Sequence, residues 1–301
     1  MPTPVTFYII TPSYNALSWL QRCVRSVADQ VRPGLCVHHH VQDGGSTDGT
    51  REWLDDWKRA HADTPGFRFS FESARDRGMY DALNIAWQHL PADADITAHL
   101  NSDEQYLPGA LEAVAARMQD HPRADLAVAS YLVLDKEGSY LCHRRPTHPS
   151  YTLSRTLCQI ITCACFHRAE RFRRLGIRFD TSYRAMADLI FYRDIMATKP
   201  QVLLLPRLFT SAFYLTGSNL SWSELWQQDQ RRLDASLPPW LVRWRPVLVK
   251  WNNAQNLLCD LLCRAPSHYA VYDDAKSARR DFSIRHPRAR WVTPNEDGAD
   301  G

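Results

Sequence analysis

The sequence predicts an α/β protein built on a mostly parallel sheet, and three observations carry that prediction. β-rich apolar segments alternate four times with segments of helical periodicity in the first ~120 residues. Three of the strands end in polar clusters, at residues 11–15, 43–50 and 101–104. In a parallel sheet those ends point the same way and converge on one crevice, the place where such folds bind ligands. The composition, 45% hydrophobic and 23% charged over 301 residues, is globular and suits one large domain with an appendage.

Val5-Thr6-Phe7-Tyr8-Ile9-Ile10 is almost continuously apolar, the pattern of a strand buried on both faces. Thr11-Pro12-Ser13-Tyr14-Asn15 ends it, and Leu17, Leu20, Val24 and Val27 then recur at helical spacing. A second strand, Leu35 to Gln42, runs into Asp43-Gly44-Gly45-Ser46-Thr47-Asp48-Gly49-Thr50. There the glycines allow tight turns, and the hydroxyls of Ser46 and Thr47 are expected to cap a helix carrying Trp53, Leu54 and Trp57. A third strand around Phe67 to Phe71 precedes the stretch Glu72 to Gly78 and a helix over Tyr80 to Leu90. The fourth, Ile96 to Leu100, ends at Ser102-Asp103-Glu104, and Leu107, Leu111, Val114 and Met118 mark the next helix, with Pro108 suited to its start.

Leu126 to Leu134 and Ser139 to His143 read as a hairpin around Lys136-Glu137-Gly138. Helices fit Ala169 to Leu175 and Met186 to Met196, and a strand fits Val202 to Leu205. Beyond residue 221 the character changes: Trp222, Trp226, Trp240, Trp244 and Trp251 interleave with Arg231, Arg232, Arg243, Arg245 and Lys250. The expected organisation is a catalytic domain over 1–221, a helical extension over 222–294, and a disordered acidic tail over 295–301.

A net charge of +3 is too small to argue for nucleic acid. The eight cysteines follow no framework spacing, and Met1-Pro2-Thr3-Pro4 leads directly into the first strand, so reduced thiols in the cytoplasm are expected. No apolar run reaches the ~18 residues of a spanning helix. His38-His39-His40 alternates across a strand, which sends His39 to the face opposite His38 and His40 and excludes joint chelation. Cys163 and Cys165 read as core thiols.

The chemistry concentrates at the strand ends. Asp103 and Glu104 offer hard oxygen ligands for a divalent cation that also meets a phosphate-bearing substrate. Asp43, if exposed, is placed to accept hydrogen bonds from a base or sugar. With these residues in view, the chain resembles glycosyltransferase family 2, the inverting enzymes of GT-A (nucleotide-diphospho-sugar transferase) fold. Residues 11–15 and 43–50 resemble the opening motifs of that family. Asp76-Arg77-Gly78-Met79-Tyr80-Asp81-Ala82-Leu83-Asn84 resembles the D-x-G-x-Y-D-A-x-N segment of its polysaccharide-synthesis branch. Leu100-Asn101-Ser102-Asp103-Glu104 resembles that branch's L-N-S-D-D, the local form of the D-x-D motif, with Glu104 in place of the last Asp.

The resemblance implies a UDP- or GDP-linked sugar donor and Mg2+ or Mn2+. It implies that Pro12, Tyr14 and Asp43 hold the nucleoside, that Arg75, Asp76 and Ser102 lie along the diphosphate-sugar, and that Asp103, with Glu104, binds the metal. An inverting transfer needs a base for the acceptor hydroxyl; by the same resemblance Asp188 is the candidate, with Asp180 the alternative. Phe213 to Ser221, with Gly217 and Ser218, resembles a terminal segment that closes over the diphosphate, although one glycine of its usual pair is missing. The expected acceptor is a glycan, lipid-linked in this branch, used in polysaccharide biosynthesis. Two readings of the Trp- and Arg-rich extension stay open: packing on the catalytic domain, or peripheral contact with the inner face of the plasma membrane. A nucleotidyltransferase is disfavoured because residues 12–15 are not a glycine-rich basic loop. A degenerate sugar-nucleotide-binding or scaffold protein is the alternative from another class.

Overall fold

The computed structural model describes residues 4–217, 224–273 and 278–289. The first half follows the alternation in the sequence: β1 (Val5–Ser13), α1 (Leu17–Ala28), β2 (Leu35–Asp43), α2 (Thr50–Ala60), β3 (Phe67–Ser73), α3 (Met79–Ala86), a 3-10 turn (Trp87–His89) and β4 (Ile96–His99). Then come β5 (Glu104–Tyr106), α4 (Ala110–Asp120), β6 (Leu126–Asp135), β7 (Tyr140–Arg144), α5 (Tyr151–Ser154), β8 (Cys165–Arg168), α6 (Ala169–Leu175), α7 (Ala187–Ala197) and β9 (Val202–Leu215). The C-terminal part holds α8 (Glu224–Ser236), α9 (Pro239–Leu262), β10 (His268–Tyr272) and β11 (Arg279–Ser283).

Among the described residues, nine strands form one sheet in the order β3-β2-β1-β4-β8-β6-β9-β5, with β7 paired to β6. The half made of β3, β2, β1 and β4 is parallel. The other half is mixed, because β8 runs antiparallel to both β4 and β6 and β5 runs antiparallel to β9. β1 and β2 are buried through most of their length, β1 as its nearly continuous apolar run requires and β2 in spite of its three histidines. Helices cover both faces, giving one apolar cluster around Phe7, Ile9 and Leu111 and another around Tyr8, Leu83 and Phe191.

Three sequence expectations change. The acidic triplet does not pass straight into a helix: Glu104 opens the three-residue strand β5, which pairs on β9. The strand expected over Val202 to Leu205 continues to Leu215 past an irregularity at Pro206, whose missing N–H suits a break in the ladder. The extension is not helical throughout, since β10 and β11 form a hairpin that packs through Tyr269 and Val271 on Leu132, Leu134 and Tyr214. Ser218 to Ser221, Trp222 and the tail from Asn295 lie outside the described residues. The histidine run sits in β2 as its alternation requires: His38 and His40 both reach Ser70 Oγ at 2.9 Å, and His39 meets Thr11 Oγ1 on the other face.

Candidate active site

The C-terminal ends of the parallel strands share one edge, with Ser13 opposite Asp43 and Asp43 opposite Ser73. The segments leaving them wall a cleft of about 1070 Å³. Pro12, Tyr14, Arg75, Asp76, Ser102, Asp103, Glu104 and Asp188 all line it. Residues 176 positions apart in sequence (Pro12 and Asp188) thus meet in one cavity.

Asp43 differs from its expected role. It is fully buried and is not among the residues lining the cleft. Its Oδ2 accepts from the N–H groups of Gly45 (3.2 Å) and Ser46 (2.9 Å) and from Ser73 Oγ (2.6 Å), while Oδ1 accepts from Ser46 Oγ at 2.5 Å. A carboxylate so engaged folds the loop and presents the backbone of Gly44 and Gly45 to the cleft. Ser46 Oγ in turn accepts from the Asn15 N–H at 2.7 Å, which ties this loop to the one carrying Tyr14. The capping expected of Ser46 and Thr47 falls instead to Asp48, which accepts from Thr50 N–H and Oγ1 and from the Leu17 N–H, joining the starts of α1 and α2. Gly44 is required for closeness: a Cβ there would lie 3.0 Å from Asp76 Oδ2 and 3.3 Å from Tyr14 Cδ2. Tyr14 itself is 66% exposed, a broad aromatic face free for stacking.

Asp76 Oδ1 accepts from the Gly78 N–H at 2.7 Å. Burial raises its pKa, that hydrogen bond opposes the rise, and Asp81 and Asp43 add to it. Arg75 is exposed at the cleft, whereas Arg77 is committed to Asp81 in an i,i+4 pair. Asn84, the last residue of this motif, holds the segment that leads to α7: its amide donates to Phe179 O and accepts from Phe179 N, both at 2.9 Å. Phe179 then stacks on Phe191 of α7 at 4.3 Å, and Trp87 stacks on the same ring.

The acidic triplet turns on Glu104, whose Oε2 accepts the Asn101 N–H at 2.8 Å. Asn101 Oδ1 is buried with no hydrogen-bond partner, and the Asn101 side chain and the Cys163 thiol also lie against the Glu104 carboxylate and favour its charged form. Burial raises the pKa of Asp103; burial first, then the charge of Asp103, raises that of Glu104. Two neighbouring carboxylates, Glu104 buried and Asp103 half-buried, and an unpaired amide oxygen are of the chemical type that a hard divalent cation takes as ligands. The residues fit Mg2+ or Mn2+. Among the described residues no cluster of three or more His, Cys, Asp or Glu poised for a metal occurs.

Asp188 lies in the first turn of α7, partly buried. Burial raises its pKa, with the Leu189 N–H and the Cys158 thiol pulling the other way. Cys158 Sγ stands 3.6 Å from Asp188 Oδ2 and donates to it. The Tyr80 hydroxyl lies against the backbone of Asp188. Asp180 is different: its carboxylate caps its own turn through Ser182 N and Oγ, and it does not line the cleft. Sequence reasoning missed Trp19, Cys158 and Ile161 near the site, and nothing in their local sequence marks them; Tyr80 and Phe213 lay inside quoted motifs but were given no role of their own.

Buried histidines elsewhere set an acid limit on the fold. Burial holds His39 and His99 at a pKa of about 3, and His40 and His167 at about 4. Folded pKa values below the unfolded one contribute stability that is lost as pH falls through the unfolded value, about 2 kcal/mol per histidine near pH 5. The raised carboxylates of the triplet have the opposite sign and offset part of that. Chemical denaturation at about pH 7 and about pH 5 is expected to show a net loss of stability at the lower pH. Higher stability at about pH 5 than at about pH 7 would show that the histidines protonate inside the fold.

The comparisons with known proteins meet this geometry. The sequence model described as "Glycosyl transferase family 2" matches residues 8–175, more than half of the chain. The chain belongs to glycosyl transferase family 2. Two family relatives, both uncharacterized glycosyltransferases of Mycobacterium tuberculosis, are 36% identical over 106 residues, which is 35% of this chain and 37% of each relative. The matched stretch thus spans little more than a third of those relatives. Among solved structures, the Pyrobaculum calidifontis mannosyltransferase PcManGT, in complex with GDP-Man and Mn2+, is similar with a TM-score of 0.57 at 17% identity over 86% of this chain and 74% of that one. S. aureus TarS 1–349 in complex with UDP-GlcNAc gives a TM-score of 0.53 at 14% identity, over 76% and 64% of the two chains. At these identities the likeness concerns the fold, which is GT-A.

Proposed function

We propose that this chain is a metal-dependent inverting glycosyltransferase that moves a sugar from a UDP- or GDP-linked donor to a glycan acceptor carried on a lipid, in polysaccharide biosynthesis. The observation that carries the reading is the convergence of Asp76, Asp103 and Asp188 on one cleft beside the exposed Tyr14 ring. Pro12 and Tyr14 hold the nucleoside against the loop that Asp43 folds. Arg75 offers positive charge to the diphosphate, and Asp76 and Ser102 take hydroxyls along the sugar-diphosphate. Asp103, Glu104 Oε1 and Asn101 Oδ1 would hold the cation. When bound there, a divalent cation supplies neutralisation of the negative charge that gathers on the departing nucleoside diphosphate.

Asp188 accepts the proton of the acceptor hydroxyl as that oxygen bonds to the anomeric carbon. The bond from that carbon to the phosphate oxygen breaks, and its electron pair leaves with the nucleoside diphosphate. A carboxylate raised by burial is a stronger base than an exposed one. Thermal-shift measurement against a panel of nucleotide sugars with Mn2+ tests the reading. One UDP- or GDP-linked donor is expected to raise Tm in proportion to the logarithm of its concentration; no shift with any donor would oppose it. Binding without transfer to any glycan would favour a sugar-nucleotide-binding protein.

Residues 1–221 form the catalytic unit in this reading, and residues 222–294 fasten it to a membrane surface. No helix among the described residues is long and apolar enough to cross a membrane. The inner face of α9 is docked: Leu241 is buried, Arg245 pairs with Asp234, and Asp260 meets His143 and Arg145. Its outer face exposes Trp240, Trp244, Trp251, Leu258, Leu261 and Leu262, with Arg243 and Lys250 at the edge. The one acidic residue of α9 thus faces inward, leaving a Trp-lined basic surface suited to anionic headgroups. Vesicles containing phosphatidylglycerol are expected to co-sediment the protein, and Trp240, Trp244 and Trp251 changed together to Ser are expected to release it. Equal sedimentation of both proteins would count against this face of α9 as the contact, and none of either would count against membrane contact.

A further inference from the structure

α8 belongs to the extension, yet one of its side chains ends inside the catalytic domain. Asp229 is buried, 6% exposed, and its Oδ2 accepts three consecutive backbone N–H groups: Arg184 at 2.8 Å, Ala185 at 2.7 Å and Met186 at 3.2 Å. Those residues lead directly into α7, where Asp188 is the second residue, and Ala185 lines the cleft beside it. One turn further along α8, Arg232 donates to Ser182 O at 2.9 Å and covers the Tyr183 ring at 4.4 Å. Leu233 is fully buried in the cluster that contains Phe179, Met186 and Phe191. A single face of α8, made of Asp229, Arg232 and Leu233, therefore grips residues 182–186 from behind.

Three N–H groups turned toward one point form an anion-binding concavity. Without a carboxylate, they would be left buried and unsatisfied, and the segment would move to find other partners. No other carboxylate reaches these three N–H groups among the described residues. We propose that Asp229 is a positioning residue for Asp188: it fixes the backbone that launches α7, and so places the base carboxylate at the cleft. The C-terminal extension then completes the active site as well as flanking it. This inference rests on the reading of Asp188 as the base.

A double-mutant cycle on the full-length protein tests it, with transfer rate and donor affinity both measured. Asp229→Ala is expected to lower kcat at least about tenfold while donor affinity changes less than about twofold, because the donor half of the cleft is built on other strands. Asp229→Asn, which keeps an acceptor oxygen, is expected to recover most of that loss. In an Asp188→Asn background Asp229→Ala is expected to add little, since a residue acting through the base has nothing left to position. Full additivity in the cycle, or parallel loss of kcat and donor affinity, would overturn the proposal. Should Asp229→Ala fail to fold, Arg232→Ala serves as the second perturbation of the same segment, with the same non-additivity expected. Full activity of Asp188→Asn alone would instead refute the base assignment, a result distinct from additivity.

Discussion

Asp188→Asn is expected to lower kcat by about 10²–10⁴-fold and to leave donor affinity within about twofold of the parent. The substitution preserves volume and the hydrogen bond from the Leu189 N–H, but removes the proton acceptor. The loss belongs to kcat because an interaction with a transferring proton exists only in the transition state. Steady-state kinetics at saturating acceptor, with donor titration by calorimetry, checks both halves. Retention of full activity would move the base elsewhere; Asp180 is then poorly placed, since Ser182 occupies its carboxylate and it stands off the cleft.

The second large effect concerns the acidic triplet. Asp103→Ala is expected to abolish Mn2+-dependent donor binding, weakening donor affinity by at least about tenfold. The pH dependence in the parent has a definite sign. Both carboxylates are raised, Asp103 by burial and Glu104 by burial and by Asp103, so below neutrality they hold protons that a cation must displace. Apparent Mn2+ affinity is therefore expected to rise as pH climbs from about 5 to about 8. Without metal the same groups act against the fold, because a carboxylate whose folded pKa lies above its unfolded one costs stability as pH rises through that interval. Stabilisation by Mn2+ is expected to be larger near the top of the range than at its foot. A pH-independent Mn2+ effect would place the cation on other ligands.

Much of this architecture was legible in the sequence because it is written in local patterns. The nearly continuous apolar run at Val5 to Ile10 and the strand-like segment Leu35 to Gln42 read as parallel strands, and parallel strands align their C-terminal ends. From that geometry alone, residues 11–15, 43–50 and 101–104 were expected to meet. The motif resemblance then supplied roles that spacing cannot. What was not legible depends on contacts between distant segments. The strand β5 is three residues long and exists because β9 lies beside it. Pro206 reads as a strand end but marks an irregularity within one strand. Asp43 looked like a ligand contact, and its burial follows from Ser73, 30 positions away. The thiol of Cys158 reaches Asp188 across 30 residues, and Asp229 reaches the loop before α7 across more than 40, with no sequence signal for either.

The central claim is that Asp103 and its neighbours hold a cation against the diphosphate of a sugar nucleotide bound beside Tyr14. Titration calorimetry of the parent protein with the donor found by thermal shift, with Mn2+ and then with excess chelator, tests it most directly. The expected result is one donor per chain, bound at least about tenfold more tightly with Mn2+ than without it. Equal affinity under both conditions would contradict the claim.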